Sequence, residues 1–160
     1  MRRMTSFLGI AVAVLLAALG VSGCAAASSG GSSISVTSAY VPQPTTGGNT
    51  VAYLDIRNSG RTADRLVAAH TSVGGSIQLR APEMGPASVM TMRTVPDISI
   101  PSNTMVRLNP DNGYLVITGA GPMQDGKAIT LQLTFANAGT ISVIAVVTNP
   151  QNGGSSYFLN

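Results

Sequence analysis

The chain has 160 residues and a formal net charge of +3, from nine basic and six acidic residues. One domain with its own hydrophobic core is expected at this length. Four tyrosines, three phenylalanines, no tryptophan and no basic cluster argue against nucleic-acid binding, which requires a positively charged footprint.

The first 23 residues have the layout of a secretory signal peptide. Two arginines follow Met1, an uncharged apolar run covers residues 7–19, and small residues lead to Cys24, the sole cysteine. The apolar run is too short to span a bilayer. The Val-Ser-Gly-Cys sequence ending at Cys24 resembles a bacterial lipobox, which implies cleavage before Cys24, its acylation, and anchoring on the extracytoplasmic face of the cell membrane. The alternative is an ordinary signal peptide with Cys24 as a chance thiol.

Removal of residues 1–23 would leave a chain of nearly balanced charge. Arg2 and Arg3 leave with the signal, so seven basic residues stand against six acidic ones, for a net charge of +1. Residues 24–33 are rich in Gly and Ser and predict a flexible tether. Residues 34–148 predict a β domain, and residues 149–160 a flexible tail. A single cysteine permits no internal disulfide, so apolar burial must stabilise the domain.

Short apolar or alternating segments, separated by Gly, Pro and Asn turns, predict strands throughout the domain. The clearest alternation covers residues 129–135, and a Gly-containing loop joins it to residues 141–147 as a hairpin. Pro82 and Pro86 predict a loop around Met84. No segment after the signal has helical periodicity, so the fold is predicted as all-β, an antiparallel Greek-key sandwich or barrel. Further strands are predicted at residues 34–41, 51–58, 64–70, 77–80, 89–95, near 98, at 105–108 and at 114–118.

Several segments resemble one protein family in their order and spacing. They are residues 52–58, residues 98–101, the closing hairpin, and the positions Arg80, Met92, Tyr114 and Val116, with twenty-one residues between Met92 and Tyr114. In this arrangement the chain is similar to the PCu(A)C periplasmic copper chaperones, which carry a strand-end His, a later Met, and a His-x-Met. The resemblance implies a cupredoxin-like or immunoglobulin-like fold. It also implies delivery of Cu(I) toward cytochrome oxidase, with an oxidase assembly factor as partner.

The residues at the family's ligand positions are poor donors for copper. Cu(I) prefers thioether, thiolate and imidazole ligands. Arg80 replaces the first His, and a guanidinium has no lone pair to give and repels a cation. Tyr114 replaces the second His and would ligate only as a phenolate. Phenols have an unperturbed pKa of ~10, so this form is rare at neutral pH. Val116 replaces the last Met and has no donor. A family-type copper site is therefore expected to be lost.

Two interpretations of the Arg80 and Tyr114 positions remain open at this point. The pair has either become a polar contact surface, or Tyr114 simply packs its ring over the end of a hairpin, as strand tyrosines commonly do.

Methionines offer a second route to copper. Met84, Met90 and Met92 could supply two or three thioethers to Cu(I), and Met90 and Met92 share one face of their predicted strand. The alternative is that these side chains fill gaps in the core or line a contact surface. Arg80 and Arg93 bring positive charge near the proposed pocket, which favours the alternative.

Other chemistry has little support in the sequence. His70 is the sole histidine and is expected at the surface or at a strand end. No Gly-x-Ser-x-Gly motif is present, and the six carboxylates are scattered, so the chain is predicted not to be an enzyme. Two hypotheses remain. The chain is a copper-chaperone lipoprotein that handles Cu(I) weakly, with no firmly bound cofactor, or a metal-free β module that binds another cell-envelope protein.

Overall fold

A computed structural model describes residues 31–44, 48–85 and 89–152, which form ten β-strands and one 3₁₀ turn, Pro150–Asn152. These residues contain no α-helix, and none of their segments meets the length and hydropathy of a bilayer-spanning helix. The predicted signal helix and Cys24 lie outside the described residues. The strands are β1 (Ile34–Pro42), β2 (Thr50–Asn58), β3 (Asp64–Thr71), β4 (Ser76–Met84), β5 (Met90–Thr94), β6 (Ile98–Ile100), β7 (Thr104–Leu108), β8 (Tyr114–Thr118), β9 (Ala128–Phe135) and β10 (Gly139–Thr148).

Strand β2 joins the two parts of the sheet. One edge of β2 pairs with β1, while the other pairs with β8 over residues 50–52 and with β7 over residues 54–58. From β1 the order continues through β10, β9 and β3 to β6, and from β8 through β4 to β5. The all-β prediction is confirmed. The parallel pairing of β1 with β10 differs from the predicted antiparallel arrangement, because alternation indicates which face is buried and not the direction of a neighbour.

The hydrophobic core lies against one face of each strand, as the alternation predicts. The apolar residues at positions 129, 131, 133 and 135 of β9 are all buried, and so are those at 52, 54 and 56 of β2. Strand β10 returns beside β9 with Gly139 opposite Phe135, which confirms the predicted hairpin. In β4 and β8 the buried residues are Leu79, Leu115 and Ile117. These three side chains fix which face of the two strands is turned away from the core.

Strand β4 extends further than the sequence indicates. Pro82 and Met84 were predicted to lie in a loop, but both belong to β4 and pair with β5. The N–H of Val95 donates to Leu79 and that of Gly85 to Val89, so the bonds between β4 and β5 fall on odd-numbered residues of β4. The nitrogen of Pro82 therefore points to the other edge of β4. Strand β8 begins opposite Arg80, two residues before Pro82, and so has no residue opposite Pro82. Proline is tolerated in a strand where no partner needs its N–H.

Two buried polar side chains tie the loops to the sheet. The Asn58 side chain is fully buried and uses both ends of its amide. Its Nδ2 donates to the carbonyl oxygens of Thr62 and Ile100, at 2.9 and 3.3 Å. Its Oδ1 accepts from the N–H groups of Ser33 and Gly60, at 3.1 and 3.0 Å. A buried amide that is satisfied in this way stabilises the fold, whereas an unsatisfied one would cost about 1–3 kcal/mol.

Asp64 is the second buried anchor, with 1 % of its surface exposed. Its carboxylate accepts backbone N–H groups from Arg65, Asn137 and Ala138, at 2.8, 2.9 and 2.9 Å. Burial raises the pKa of Asp64, but hydrogen bonds from the Ser32 hydroxyl and from these three N–H groups outweigh it and hold the pKa below its ordinary value. The charged carboxylate thus joins the start of β3 to the β9–β10 turn.

Asp64→Asn should destabilise the domain by about 1–3 kcal/mol at pH 7, since an amide NH₂ would face a backbone donor. Because the folded pKa lies below the unfolded value of about 3.9, the stabilisation by Asp64 is present above that pH and is lost as pH falls through the folded pKa. Urea unfolding from pH 7 to pH 2.5 should therefore show a steeper loss of stability in the parent than in the variant. Asp111→Asn, at an exposed turn residue, is the control. Parallel pH profiles for the parent and Asp64→Asn would contradict this role.

Candidate functional site on the outer face of the β8–β4–β5 sheet

The three strands β8, β4 and β5 present one face to the core and the opposite one, here called the outer face, away from it. Leu79, Leu115 and Ile117 point inward and are buried. Their alternate neighbours Arg80, Tyr114 and Val116 are only half-buried. Since successive side chains of a strand point to opposite faces, the three residues at the family's ligand positions share the outer face.

The strand register shows how close these positions lie. Arg80 of β4 is directly opposite Tyr114 of β8, and Val116 is opposite both Gln78 of β4 and Val51 of β2. Met92 of β5 lies opposite Pro82, two residues beyond Arg80 along β4. The fold therefore brings together all four positions that the resemblance singled out, although only Met92 carries a soft donor.

The three candidate methionines lie on the same hairpin and the same outer face. Met84 and Met90 are opposite one another, and Met92, opposite Pro82, belongs to the next pair on the same face. Because the β4–β5 bonds involve Leu79 and Gly85, the Met84–Met90 pair is of the non-hydrogen-bonded type, in which side chains approach more closely. Met84 is 62 % exposed and Met90 is 55 % exposed. These thioethers are open to solvent at the tip of the hairpin and do not fill the core.

The other methionines of the described residues lie elsewhere. Met123 is buried in the core, and Met105 is partly exposed on β7, across the sheet from the hairpin. Only Met84, Met90 and Met92 form a group.

The two arginines near the methionines differ in their surroundings. Arg93 alternates onto the face opposite to Met92, where its Nε lies 3.7 Å from Glu83 Oε2. Its charge is therefore balanced, and it faces away from the thioethers. Arg80 lies on the outer face with them and is absent from the ion pairs formed by the described residues. Its Nε is buried without a hydrogen-bond partner. Of the two positive charges expected near the methionines, only that of Arg80 faces them.

A row of three tyrosine rings crosses the outer face beside Arg80. The Tyr114 ring is edge-on to that of Tyr53, with 6.2 Å between centroids, and Tyr53 packs against Tyr40 at 5.2 Å. Burial and the negative charge of Asp55 raise the pKa of Tyr40, while burial and the neighbouring Tyr40 and Tyr114 raise the pKa of Tyr53. These two rings remain neutral phenols at physiological pH. Tyr114 thus packs its ring against Tyr53 of the neighbouring strand β2.

Tyr40 and Tyr53 were not predicted from the sequence as residues of this face's candidate site. Alternation along β2 does assign Tyr53 to the outward side, but no local pattern indicates that β1, β2 and β8 lie side by side with their tyrosines aligned.

The β7–β8 turn sets the position of Tyr114. The Oδ1 of Asn109 accepts hydrogen bonds from the N–H groups of Asp111 and Asn112, at 3.1 and 2.8 Å, and so closes a tight turn before β8. Gly113 follows with a φ of +120°, and a Cβ there would lie 2.7 Å from the Arg80 carbonyl oxygen. Only glycine fits this close approach between the start of β8 and Arg80 of β4.

The remaining titratable groups form no recognisable metal centre. His70 is exposed on β3 opposite Gln132, far from the outer-face residues in the strand order. Within residues 31–44, 48–85 and 89–152, no three His, Cys, Asp or Glu side chains are grouped so as to hold a metal ion.

Comparisons with known proteins indicate which proteins the chain resembles in sequence and in fold. The family model described as "Putative lipoprotein LpqE-like" matches residues 34–147. "Putative lipoprotein Lxx21020" of Leifsonia xyli subsp. xyli (strain CTCB07) is 24 % identical over 111 residues, which cover 69 % of this chain and 67 % of that protein.

Solved structures of similar fold are PCuAC domains and a copper-binding protein. The copper-bound PCuAC domain from PmoF2 has a TM-score of 0.61 at 21 % identity, covering 73 % of this chain and 93 % of the domain. The apo PCuAC domain from PmoF1 has a TM-score of 0.62 at 24 % identity, covering 73 % and 94 %. CuI-DR1885 from Deinococcus radiodurans has a TM-score of 0.56 at 23 % identity, covering 79 % and 83 %. The predicted resemblance to the PCu(A)C proteins is confirmed at the level of the fold.

Gly113→Ala should destabilise the domain by about 2–3 kcal/mol, because it adds both backbone strain and a clash with the Arg80 carbonyl. The matched control is Gly119→Ala at the other end of β8, where φ is +67° and no atom lies within 4 Å of the added Cβ. That variant should lose only about 1 kcal/mol. Chemical denaturation measures both values, and amide shifts of Arg80 and Tyr114 should move only in Gly113→Ala. Equal losses in the two variants would show that the close approach has no energetic role.

Proposed function

Because the chain belongs to the LpqE-like lipoprotein family, we propose that it is an envelope lipoprotein that takes up Cu(I) weakly and passes it on. The cargo ion would be held by Met84, Met90 and Met92. The observation that carries the proposal is the register of the β4–β5 hairpin, which opposes Met84 to Met90 and aligns Met92 on the same face. The PCuAC domain of PmoF2, described as copper-bound, lends support through its similar fold.

The chemistry of the methionine group suits a transferable cuprous ion. Thioethers are soft, neutral ligands that select Cu(I) over harder ions. Directly opposed residues on paired strands have Cβ atoms about 4.5–5.5 Å apart, within reach of two flexible methionine side chains that converge on one ion. Their exposure at the hairpin tip leaves the ion accessible to an acceptor. Two or three thioethers without imidazole or thiolate make a site from which copper is readily removed.

The family-type ligand set does not fit copper in this chain. Arg80 offers only donors and a positive charge, Val116 has no ligating atom, and the Tyr114 ring packs against Tyr53. No step of copper transfer is assigned to these three positions.

The charge of Arg80 weakens the methionine site without abolishing it. Residues rise by about 3.4 Å along a strand, so the Met92 pair lies about 7 Å from Arg80 and the Met84–Met90 pair about 14 Å away. At 7 Å, repulsion between unit charges is about 0.6 kcal/mol in water and about 2 kcal/mol at an effective dielectric constant of ~20. This corresponds to a loss of affinity of roughly threefold to thirtyfold.

The same proposal includes the cellular setting. Acylation of Cys24 would anchor the domain to the extracytoplasmic face of the membrane, with residues 24–33 as a tether that lets the hairpin tip reach a neighbour. The recipient would be another envelope protein, such as an assembly factor of cytochrome oxidase. The role is that of a carrier and not of an enzyme.

A metal-free binding module is the second candidate. The observation that favours it is the replacement of soft donors by Arg80 and Tyr114 on a face that keeps exposed apolar side chains. In that case Met84 and Met90 would contact a protein partner directly.

Competition with a chromophoric Cu(I) chelator under anaerobic conditions tests the copper proposal. The purified protein should bind one Cu(I), and a Met90→Leu/Met92→Leu variant should bind at least tenfold more weakly, because leucine keeps the volume and removes the sulfur. Met105→Leu, at a methionine 39 % exposed on β7, is the matched control and should bind as the parent does. Equal weakening in both variants, or no binding by the parent at high protein concentration, would leave the metal-free module.

Replacing Arg80 tests the electrostatic part of the proposal. Arg80→Gln should raise the affinity for Cu(I) by roughly threefold to thirtyfold, since it removes the charge that faces the thioethers. The gain should shrink as ionic strength rises. Arg93→Gln, on the opposite face and paired with Glu83, should change the affinity little. A loss of copper binding in Arg80→Gln would contradict the proposed repulsion.

A further inference from the structure

Arg80 differs from every other basic residue that the structure describes. The side chains at 57, 61, 65, 70, 93, 107 and 127 are exposed, whereas Arg80 is half-buried. Three of the exposed arginines have a carboxylate within 4.0 Å, and Arg80 has none among the described residues. Its Nε is enclosed without any acceptor. A half-buried guanidinium without a counter-charge is costly, and its free energy would fall if an anion bound to it.

The residues around Arg80 on the outer face provide no negative charge. Tyr114 lies opposite it on β8, Thr94 opposite it on β5, and Gln78 and Pro82 are its neighbours on the same face of β4. Asp55 lies two residues from Tyr53 along β2, and its Oδ1 lies 4.0 Å from Arg107 Nε. Glu83 alternates onto the opposite face, where it meets Arg93. Within the part of the chain that the structure describes, Arg80 therefore has no counter-charge, and another molecule would have to supply it.

The form of the unsatisfied donor indicates the type of anion. A guanidinium uses Nε–H together with an Nη–H as a planar fork, which matches the two oxygens of a carboxylate. Nε is covered in the free protein, so this pairing requires rotation of the long arginine side chain. The tyrosine row borders Arg80 with phenol rings, and burial raises the pKa of Tyr53, so that its hydroxyl stays neutral.

The shape and composition of the outer face favour a protein-borne carboxylate over a small ion. Arg80 lies on an open sheet face, between the row Tyr40, Tyr53 and Tyr114 on one side and the exposed Met84 and Met90 on the other. Tyrosine, methionine and arginine are the residue types enriched at protein interfaces, and Tyr and Arg are frequent hot spots. A partner that spans the face would cover apolar rings and thioethers while it neutralises the guanidinium.

We propose that the outer face of the β8–β4–β5 sheet is a docking surface for an acidic polypeptide segment, whose Asp or Glu carboxylate pairs bidentately with Arg80. Apolar side chains that flank this carboxylate contact the tyrosine row and the exposed methionines. The position that holds a cation ligand in the copper chaperones thus recognises an anion here. The inference concerns Arg80 and the tyrosines and does not depend on copper binding.

Nuclear magnetic resonance with the ¹⁵N-labelled purified protein tests this docking surface directly. The probes are the capped peptide acetyl-Leu-Thr-Glu-Thr-Leu-amide, its counterpart with Gln in place of Glu, and inorganic phosphate. The Glu peptide should shift the Arg80 Nε–H signal and the amides of Tyr114 and Thr94 in a saturable manner. The Gln peptide should bind at least tenfold more weakly, because its neutral amide has no negative charge and only one acceptor oxygen.

Variants of Arg80 distinguish bidentate pairing of the guanidinium with a carboxylate from attraction by positive charge alone. Arg80→Gln should weaken binding of the Glu peptide more than tenfold, and Arg80→Lys, which keeps the charge and the stem, should weaken it severalfold. Arg61→Gln removes an exposed arginine before β3 and should leave binding unchanged. Thermal unfolding of each variant establishes that it is folded, and Arg80→Lys serves as the test if Arg80→Gln does not fold.

Three results would overturn the proposal. The first is equal binding of the Glu and Gln peptides. The second is an effect of phosphate as strong as that of the Glu peptide, which would make Arg80 a small-anion site. The third is binding by Arg80→Lys as tight as that of the parent. Copper titrations read out the methionine group separately, so a failure of one proposal does not imply failure of the other.

Discussion

Burial of one face of β4 and β8 is the constraint on which the candidate site depends. Leu79, Leu115 and Ile117 are almost or fully excluded from solvent. Each such side chain contributes about 1.5–3 kcal/mol, while a whole domain is stable by only about 5–15 kcal/mol. A slip of one residue would turn all three to the outer face and remove much of that stability. The core therefore fixes the register, and the register in turn fixes Arg80 beside Tyr114.

On this scaffold the outer face carries a mixed set of chemical groups. It holds the Arg80 guanidinium on β4, the Met92 thioether on β5, and the Tyr114 phenol and the Val116 isopropyl group on β8. The aromatic row from Tyr40 to Tyr114 fills the neighbouring surface. The soft donors of this face are the methionine group, whose pairs lie two and four residues beyond Arg80 along β4, toward the hairpin tip.

The tip of the β4–β5 hairpin extends beyond the rest of the sheet because β4 continues past the start of β8. Strand β8 begins at Tyr114, opposite Arg80, so the last residues of β4 have β5 as their only strand partner. Pro82 lies there with its nitrogen toward the vacant edge, and Met84, Val89 and Met90 are more than half exposed. A two-stranded extension of this kind buries little apolar area and depends on the sheet behind it for stability. Its thioethers are therefore accessible in a way that core methionines are not.

Much of the fold could be predicted because alternation reports burial directly. The buried and exposed residues of β2 and β9, the β9–β10 hairpin and the Asn109 turn all follow from local patterns whose physical cause is local. The predicted loop at Pro82 was wrong because a proline ends a strand only where a partner strand needs a backbone N–H at that position. The tertiary fold decides whether such a partner is present. The parallel β1–β10 pair was not predicted, because the tertiary fold also sets the direction of a neighbouring strand.

Residue types and the alternation of apolar side chains were sufficient to predict the all-β class and the buried faces, because both depend on residue type and on a period of two. That Met84 opposes Met90, that Arg93 faces Glu83 and that Tyr53 bridges Tyr40 and Tyr114 is known only from the fold. Tyr53 and Tyr114 lie on strands distant in sequence, and the register of the neighbouring strands β4 and β5 depends, as strand order does, on core packing that no local window contains.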